Sequence, residues 1–350
     1  MKQEPSHTLI GPFRQVLTMA DLPEAGSIDD EQLQVLENAG VLVYDGYIVL
    51  VEQYDKLLKI AQEKGYNLQK IAESMVLMPG LIDSHTHICF AGSRANDYAM
   101  RVAGKSYLEI ARSGGGILDS VRKTREATVV ELVDLLKKRC DRHLAEGVTT
   151  CEVKSGYGLT TEEELKMLEA IQLVNKHHAL ELIPTCLAAH MRPPEHTDSR
   201  LYLQEVVTEL LPQVKEQGLA NRVDIFIEDT AFNEEDSLEY LLAAREMGFD
   251  ITVHADQFST GGSRIAAEVG ALSADHLEAS GEEEIALMQA AGVVATVLPG
   301  ASLGLGMHYA PARKMLDGGL CLAIATDWNP GSAPWVICCS RPLYSAHPKN

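Results

Sequence analysis

Two histidines, His85 and His87, stand two residues apart near the end of an apolar run that begins at Leu81. Side chains alternate between the two faces of a β-strand, so both imidazoles point the same way and can turn toward one divalent ion. A single His-x-His motif is more often a pair of ordinary histidines at a strand end. Whether this motif indicates a metal site therefore depends on residues elsewhere in the chain.

Polar side chains recur at the ends of other apolar runs. The sequence predicts eight strands, at 81–88, 148–154, 181–189, 223–228, 250–255, 272–277, 293–298 and 321–327. At or just beyond their ends stand His85, His87, Tyr157, His190, Glu228, His254, Gln257, Asp275, His276 and Asp327. Eight strands that alternate with helices predict an α/β fold, a (β/α)8 barrel of the TIM type, in which sites collect at the carboxyl ends of the strands.

Three imidazoles and one carboxylate form a ligand set suited to one divalent metal ion, zinc or ferrous iron: His85, His87, His254 and Asp327. Such an ion lowers the pKa of a coordinated water toward neutrality. Asp327 is expected to bind weakly and to accept the proton of that water, while His276 acts as a general acid or polarises a carbonyl. Taken alone, His276 could equally be a core histidine bonded to the backbone. The joint placement at strand ends favours the chemical interpretation.

Local signals indicate where the elements begin and turn. Asp45-Gly46 between two apolar, β-branched runs predicts a two-residue hairpin, because this pair readily adopts positive φ angles. Capping boxes predict three helix starts, at Thr128 with Glu131, Thr161 with Glu164, and Ser280 with Glu283.

The pattern of elements divides the chain into three parts. Residues 1–78 are strand-rich and predict the N-terminal part of a small β domain, and residues 79–334 predict the barrel. Residues 335–350 are too short and irregular to supply a last barrel helix, so we expect an atypical, truncated tail.

Composition narrows the classes of partner. The 350 residues carry a formal net charge of −20, which argues against nucleic acid or an anionic membrane as a partner. Seven dispersed cysteines without a Cys-x-x-Cys motif predict reduced thiols. With no secretory signal or apolar run of ~20 residues, we expect a cytoplasmic protein.

The chain resembles the amidohydrolase superfamily and, within it, the imidazolonepropionase family. The matching segments lie at 79–87, 114–117, 152–158, 188–190, 253–256, 273–277 and 326–332. Pro-Gly-Leu-Ile-Asp-Ser-His-Thr-His is shared widely across the superfamily. Lys-Ser-Gly-Tyr-Gly at 154–158 and Asn-Pro-Gly-Ser at 329–332 are far more specific to this family.

The resemblance implies a reaction and a role for each matching residue. The family hydrolyses 4-imidazolone-5-propanoate to N-formimidoyl-L-glutamate in histidine degradation, by attack of a metal-activated water on the ring carbonyl. The metal ligands would be His85, His87, His254 and Asp327, and His276 would be a catalytic histidine outside the metal shell. The substrate contacts would be Arg94, Tyr157, His190, Gln257, Asn329, Gly331 and Ser332. Gln257 stands where some relatives carry glutamate, so it can orient the ring or the water but cannot serve as a base.

The resemblance also implies a small β-sandwich beside the barrel, which a C-terminal segment would complete and which is expected to be incomplete here. The expected partner is the small-molecule substrate, and a homodimer is left open. Two alternatives stay open. One is an inactive, truncated form of the enzyme, and the other is a related cyclic-amide hydrolase or a deaminase, which would release ammonia.

Overall fold

A computed structural model describes residues 6–105, 109 and 113–334. The chain forms two compact units, Met1–Gly80 and Leu81–Asn350. The predicted division into domains at residue 78 stays a prediction, and the predicted tail at 335–350 lies outside the described residues. Within the described part, no helix is long and apolar enough to cross a bilayer.

The first unit is a single mixed sheet with one helix packed on it. Its strands are β1 (His7–Leu17), β2 (Val35–Tyr44), β3 (Tyr47–Gln53), β4 (Asn67–Lys70) and β5 (Val76–Leu77). The order is β3-β2-β1-β4, and β5 also pairs with β1. A 3₁₀ turn spans Asp30–Gln32, and helix α1 spans Tyr54–Lys64. The described residues of this unit form only this sheet, so the second layer of the expected sandwich is not among them.

The predicted hairpin in this unit is confirmed. Tyr44 of β2 pairs with Tyr47 of β3, which leaves Asp45 and Gly46 as the two turn residues. Their φ angles are +48° and +82°, the left-handed values that a tight turn between twisted antiparallel strands requires.

The second unit confirms the predicted barrel. Its eight strands pair in parallel in the order of the sequence. They are β6 (Leu81–Asp83), β7 (Val148–Lys154), β8 (Glu181–Ala189), β9 (Arg222–Ile225), β10 (Asp250–Ala255), β11 (Ser273–His276), β12 (Val294–Val297) and β13 (Leu322–Ile324). The first and last strands are shorter than predicted.

Helices follow the strands around the barrel. They are α2 (Ala95–Val102), α3 (Ile117–Glu126), α4 (Val129–Ala145), α5 (Thr161–Asn175), α6 (Ser199–Glu205), α7 (Leu211–Glu216), α8 (Glu234–Glu246), α9 (Gly262–Val269), α10 (Glu282–Ala291), α11 (Pro299–Leu305) and α12 (Ala312–Asp317). A π-helical turn, Val206–Leu210, joins α6 to α7. Such turns interrupt regular helices at few places in globular proteins.

The capping box of α4 is confirmed, since Thr128 and Glu131 bond each other's backbone N–H groups. The box predicted from Thr161 and Glu164 is wrong. Helix α5 is capped by Thr160, because Glu164 faces the preceding loop instead.

The box predicted from Ser280 and Glu283 is wrong for a similar reason. Glu284 accepts the N–H of Gly281 at the start of α10, while the Ser280 hydroxyl donates to Asp256. In each helix one residue of the predicted box bonds to a loop outside the helix instead: Glu164 to the loop before α5, and Ser280 to Asp256. The helix cap therefore moves by one residue.

The barrel closes between β13 and β6 through a buried carboxylate. Asp83 accepts hydrogen bonds from the backbone N–H of Thr326 at 2.9 Å and from its hydroxyl at 2.6 Å. Beyond the strands, the N–H of Asp327 donates to the carbonyl of His85 at 3.0 Å, and the N–H of His87 donates to that of residue 328. The closure therefore sets Asp327 beside His85 and His87, which follow β6.

Candidate metal centre

Three buried imidazole nitrogens and a carboxylate oxygen converge at the carboxyl end of the barrel. The Nε2 atom of His87 lies 3.2 Å from that of His85 and 3.2 Å from that of His254. Asp327 Oδ1 lies 3.4 Å from His87 Nε2 and 3.7 Å from His85 Nε2. The ligating atoms of the three histidines all lie within 4.8 Å of one another. The four predicted ligands are thus brought to one point.

Two carboxylates fix which nitrogen faces this point in two of the ligating rings, those of His85 and His254. Asp275 Oδ2 lies 2.7 Å from Nδ1 of His85, and Asp224 Oδ1 lies 3.1 Å from Nδ1 of His254. A carboxylate only accepts, so each Nδ1 carries the proton and each Nε2 presents a lone pair. Lone pairs this close repel one another unless a cation lies between them. The donor set therefore fits a divalent metal ion, in the carboxylate–histidine–metal arrangement common in proteins.

Burial keeps these rings neutral. It lowers the pKa of His85 and of His87 well below the ordinary value, and lowers the pKa of His254 to about 3. A neutral imidazole keeps its lone pair available at physiological pH, as metal binding requires.

His276 lies beside the ligating histidines, with its ring 5.4 Å from that of His254 and 5.7 Å from that of His85, but its pKa shifts in the opposite direction. Its Nδ1 lies 3.6 Å from Oε2 of Glu278, whose other oxygen accepts a hydrogen bond of 2.7 Å from Ser302. Burial opposes the imidazolium form, but the Glu278 carboxylate outweighs it and raises the pKa of His276 above the ordinary value. His276 is therefore suited to hold a proton and donate it.

The backbone is strained at three of the strand ends that form the site. Asp256, His276 and Asp327 adopt φ angles of +51°, +85° and +49°, which are uncommon for residues with a Cβ atom. Such conformations cost of the order of 1 kcal/mol or more each and persist only where the surrounding contacts impose them. At His276 and Asp327 they direct the side chains into the pocket, whereas the Asp256 side chain accepts hydrogen bonds from the loop that follows it.

The Lys-Ser-Gly-Tyr-Gly segment forms a tight loop anchored by Glu164. Its carboxylate accepts the backbone N–H groups of Gly156, Gly158 and Leu159 at 2.7–2.9 Å. Burial raises the pKa of Glu164, while these backbone bonds oppose the rise. A Cβ atom on Gly158 would lie 2.6 Å from the backbone of α5, so only glycine fits there. The loop thereby places Tyr157 at the pocket.

Tyr157 and His190 supply two polar groups to the pocket wall. Burial raises the pKa of Tyr157, so its phenol stays protonated and can donate a hydrogen bond. His190 Nδ1 lies 3.0 Å from the carbonyl of Gly156, so this nitrogen carries the proton and Nε2 is the acceptor. Burial lowers the pKa of His190 to about 4, which keeps the ring neutral.

The Asn-Pro-Gly-Ser segment forms a second loop, organised by Asn329. The Asn329 side-chain oxygen accepts the N–H groups of Gly331 and Ser332 at 2.7 and 2.8 Å, and its NH₂ group donates to the carbonyl of Asp327 at 2.7 Å. The amide is thus engaged within the loop. The predicted contact of Asn329 with substrate stays a prediction.

The pocket in front of the metal centre has a volume of about 860 Å³. The predicted site residues in its wall are His87, Arg94, Tyr157, His190, His254, Gln257, His276, Asp327, Asn329 and Ser332. His85 lies behind this wall, where it is fully buried. Gly331 packs against the Arg94 guanidinium, and Arg94 Nε donates to Asp97 at 2.9 Å.

Several buried charged residues of the site were not predicted: Lys154, Glu164, Asp224 and Glu278. Lys154 and Asp224 lie inside predicted apolar strands, where an ionisable residue is rare unless it is paired. An ionisable residue within an apolar strand was therefore the sequence feature from which Lys154 and Asp224 could have been predicted. Asp275, which the sequence placed at a strand end, orients the ring of His85 through its contact with Nδ1.

Comparison with known proteins identifies the family. No protein-family model matches the sequence. The imidazolonepropionase of Fusobacterium nucleatum is 41% identical over 322 residues, which cover 91% of this chain and 77% of the relative. The chain belongs to the imidazolonepropionase family.

Solved structures share the fold of this imidazolonepropionase family member. Guanine deaminase from C. acetobutylicum superposes with a TM-score of 0.64 at 14% identity, covering 97% of this chain and 78% of that one. A mutant atrazine chlorohydrolase from Arthrobacter aurescens, complexed with zinc and atraton, gives a TM-score of 0.65 at 17% identity, covering 98% and 78%. At these identities the likeness extends to the barrel fold alone.

Proposed function

We propose that the protein hydrolyses 4-imidazolone-5-propanoate to N-formimidoyl-L-glutamate, with one divalent ion, zinc or iron, held by His85, His87, His254 and Asp327. The observation that carries this proposal is the convergence of three histidine Nε2 atoms and one carboxylate at the base of the pocket. Curated relatives at 41% identity bear the name of this enzyme. A zinc-containing hydrolase shares the fold.

The bound ion would supply Lewis acidity, which polarises a carbonyl and lowers the pKa of a water to near neutrality. The protein supplies the acceptor for the proton of that water. Asp327 Oδ1 faces the Nε2 atoms, while Oδ2 lies 3.5 Å from the Ser332 hydroxyl. The carboxylate therefore sits between the metal ligands and the pocket, where it can take up a proton and pass it on.

His276 supplies the proton that the leaving nitrogen needs. Ring opening adds the water oxygen to the carbonyl carbon and breaks the C–N bond. It leaves a protonated ring nitrogen and a new carboxyl group, which releases the second proton of the water to solvent and becomes a carboxylate. His276, whose pKa is raised by Glu278, stands at the pocket wall beside the rings of His85 and His254 and can protonate that nitrogen. Asp327 then returns the proton it took from water to the imidazole.

Arg94 recognises the propanoate. The protein carries a formal net charge of −20, so an anionic substrate needs a local cation to bind. Arg94 lies in the pocket wall with its Nε fixed by Asp97, and a planar guanidinium matches a carboxylate. Tyr157, His190 and Gln257 line the same pocket and can hydrogen-bond the polar edge of the ring.

The test is to incubate purified, zinc-loaded protein with 4-imidazolone-5-propanoate and identify the product by NMR. We expect N-formimidoyl-L-glutamate, no turnover from His254→Ala, and unchanged turnover from the control His177→Ala, which alters an exposed histidine. Release of ammonia at the rate of substrate loss would indicate a deaminase instead. If both the zinc-loaded and the ferrous-iron-loaded protein leave the substrate intact, the proposal is overturned.

A further inference from the structure

Lys154, in the Lys-Ser-Gly-Tyr-Gly segment, is the last residue of β7 and its side chain is fully buried behind the metal centre. Its ammonium nitrogen lies 2.6 Å from Oδ2 of Asp224, 2.7 Å from Oε2 of Glu152 and 3.7 Å from Oδ2 of Asp275. One buried cation thus stands among three buried carboxylates. A lysine in this environment is rare because the charge must leave water.

The same carboxylates form the base of the candidate metal centre. Asp224 bonds Nδ1 of His254, and Asp275 bonds Nδ1 of His85. Lys154 therefore contacts the partners of two ligating histidines without contacting the pocket itself. Lys154 therefore acts on the metal centre indirectly, by holding the two aspartates that orient His254 and His85.

The carboxylates also have the arrangement of a cation site. Ligand atoms of His85, Glu152 and Asp275 lie within 4.8 Å of one another, and all three residues are buried. Oδ1 of Asp275 is buried and has no hydrogen-bond partner among the described residues. Glu152 is held in place from the other side, since its Oε1 accepts the Thr185 hydroxyl at 2.6 Å. His85 keeps its Nδ1 proton and uses Nε2 for the first ion, but the oxygens of Asp224, Glu152 and Asp275 that surround the ammonium group would suit a second divalent ion if the ammonium were not there.

We propose that Lys154 is a positioning residue whose ammonium group takes the place of a second metal ion, and that it fixes His254 and His85 through Asp224 and Asp275. The protein is then limited to one ion per barrel by its own side chain. This inference rests on the proposed metal centre and adds to it the number of ions and the residue that sets that number.

The test compares the metal content of the full chain with that of Lys154→Met after dialysis against buffered free zinc. We expect one zinc per chain in the wild type and two in Lys154→Met. Lys154→Arg keeps the cation and should stay at one. Lys166→Met removes a largely buried lysine on α5, away from this cluster, and should also stay at one. Glu152→Gln added to Lys154→Met should return the content to one.

A merely structural role for Lys154 would lower stability without changing the number of ions. One zinc in soluble Lys154→Met, or two in the wild type, overturns the proposal. If Lys154→Met folds poorly, zinc in the medium should restore it, because the ion substitutes for the ammonium group. Failure to fold with zinc present also contradicts the proposal. A wild type without any zinc would instead overturn the proposed metal centre.

Discussion

Gly331 packs directly against the guanidinium group of Arg94. A Cβ atom added to Gly331 would lie 2.3 Å from Nη1 and 2.8 Å from Cζ of Arg94, far inside van der Waals contact. The guanidinium has little freedom to withdraw, because its Nε is bonded to Asp97. The Asn-Pro-Gly-Ser loop and the Arg94 side chain are therefore matched in shape.

We predict that Gly331→Ala displaces Arg94 and weakens substrate binding. KM should rise by about tenfold, which corresponds to ~1.4 kcal/mol, while kcat changes less. Steady-state kinetics measure both constants. The control is Gly281→Ala, where the added Cβ meets only the flexible tip of Glu284 at 3.2 Å. Equal KM values for Gly331→Ala and the wild type would show that Arg94 does not bind the propanoate.

The pair formed by His276 and Glu278 predicts a change in the pH dependence of the reaction. Activity needs protonated His276, so it should fall as the pH rises through the raised pKa of this residue. Glu278→Gln removes the charge that raises this pKa, and the alkaline limb of kcat/KM should move to lower pH. Rates measured from pH 5 to 10 give the limb in each protein. A limb that stays in place would exclude His276 as the proton donor.

Glu164 predicts an effect on stability. Glu164→Ala leaves three buried backbone N–H groups without an acceptor, and the loss should be about 3 kcal/mol or more of unfolding free energy. Chemical denaturation measures this loss. The control is Glu163→Ala, which removes a partly exposed ion pair with Lys166, worth at most ~1 kcal/mol. Similar losses for both variants would mean that Glu164 does not anchor the loop.

The depressed pKa of His254 predicts that the metal-free protein weakens in acid. The unfolded chain takes up a proton at this histidine as the pH falls below about 6.5, whereas the folded chain resists it until about 3. The unfolded state binds more protons in this window, so stability is lost progressively from pH 6.5 down to 3. The difference in melting temperature between the metal-free wild type and metal-free His254→Gln should become smaller as the pH falls. Parallel pH profiles would contradict the prediction.

The barrel and the convergence of His85, His87, His254 and Asp327 could be predicted from the sequence because both follow from local patterns. Strands at the centre of a parallel barrel are buried on both faces and appear as continuous apolar runs, so their positions could be counted. Each ligand stands at a strand end, and the topology then brings strand ends together. The His85 and His87 spacing needs only the alternation of a strand.

The carboxylates that bond the histidines of the site could not be predicted from local sequence patterns. The contact of His254 with Asp224 and that of His276 with Glu278 depend on rotamers and on distances across the barrel. Helix α5 is capped by Thr160 and not by Thr161, because Glu164 bonds the preceding loop. A local capping motif does not reveal such a tertiary contact. The close approach of Gly331 to Arg94 likewise joins segments more than 200 residues apart.

The central claim is that His85, His87, His254 and Asp327 hold one ion at the base of the pocket. The most direct measurement is a crystal structure of the zinc-loaded protein with an anomalous difference map recorded at the zinc edge. We predict a single peak about 2.0–2.1 Å from Nε2 of each of the three histidines. No peak within reach of these nitrogens, or a peak at other residues only, would contradict the account.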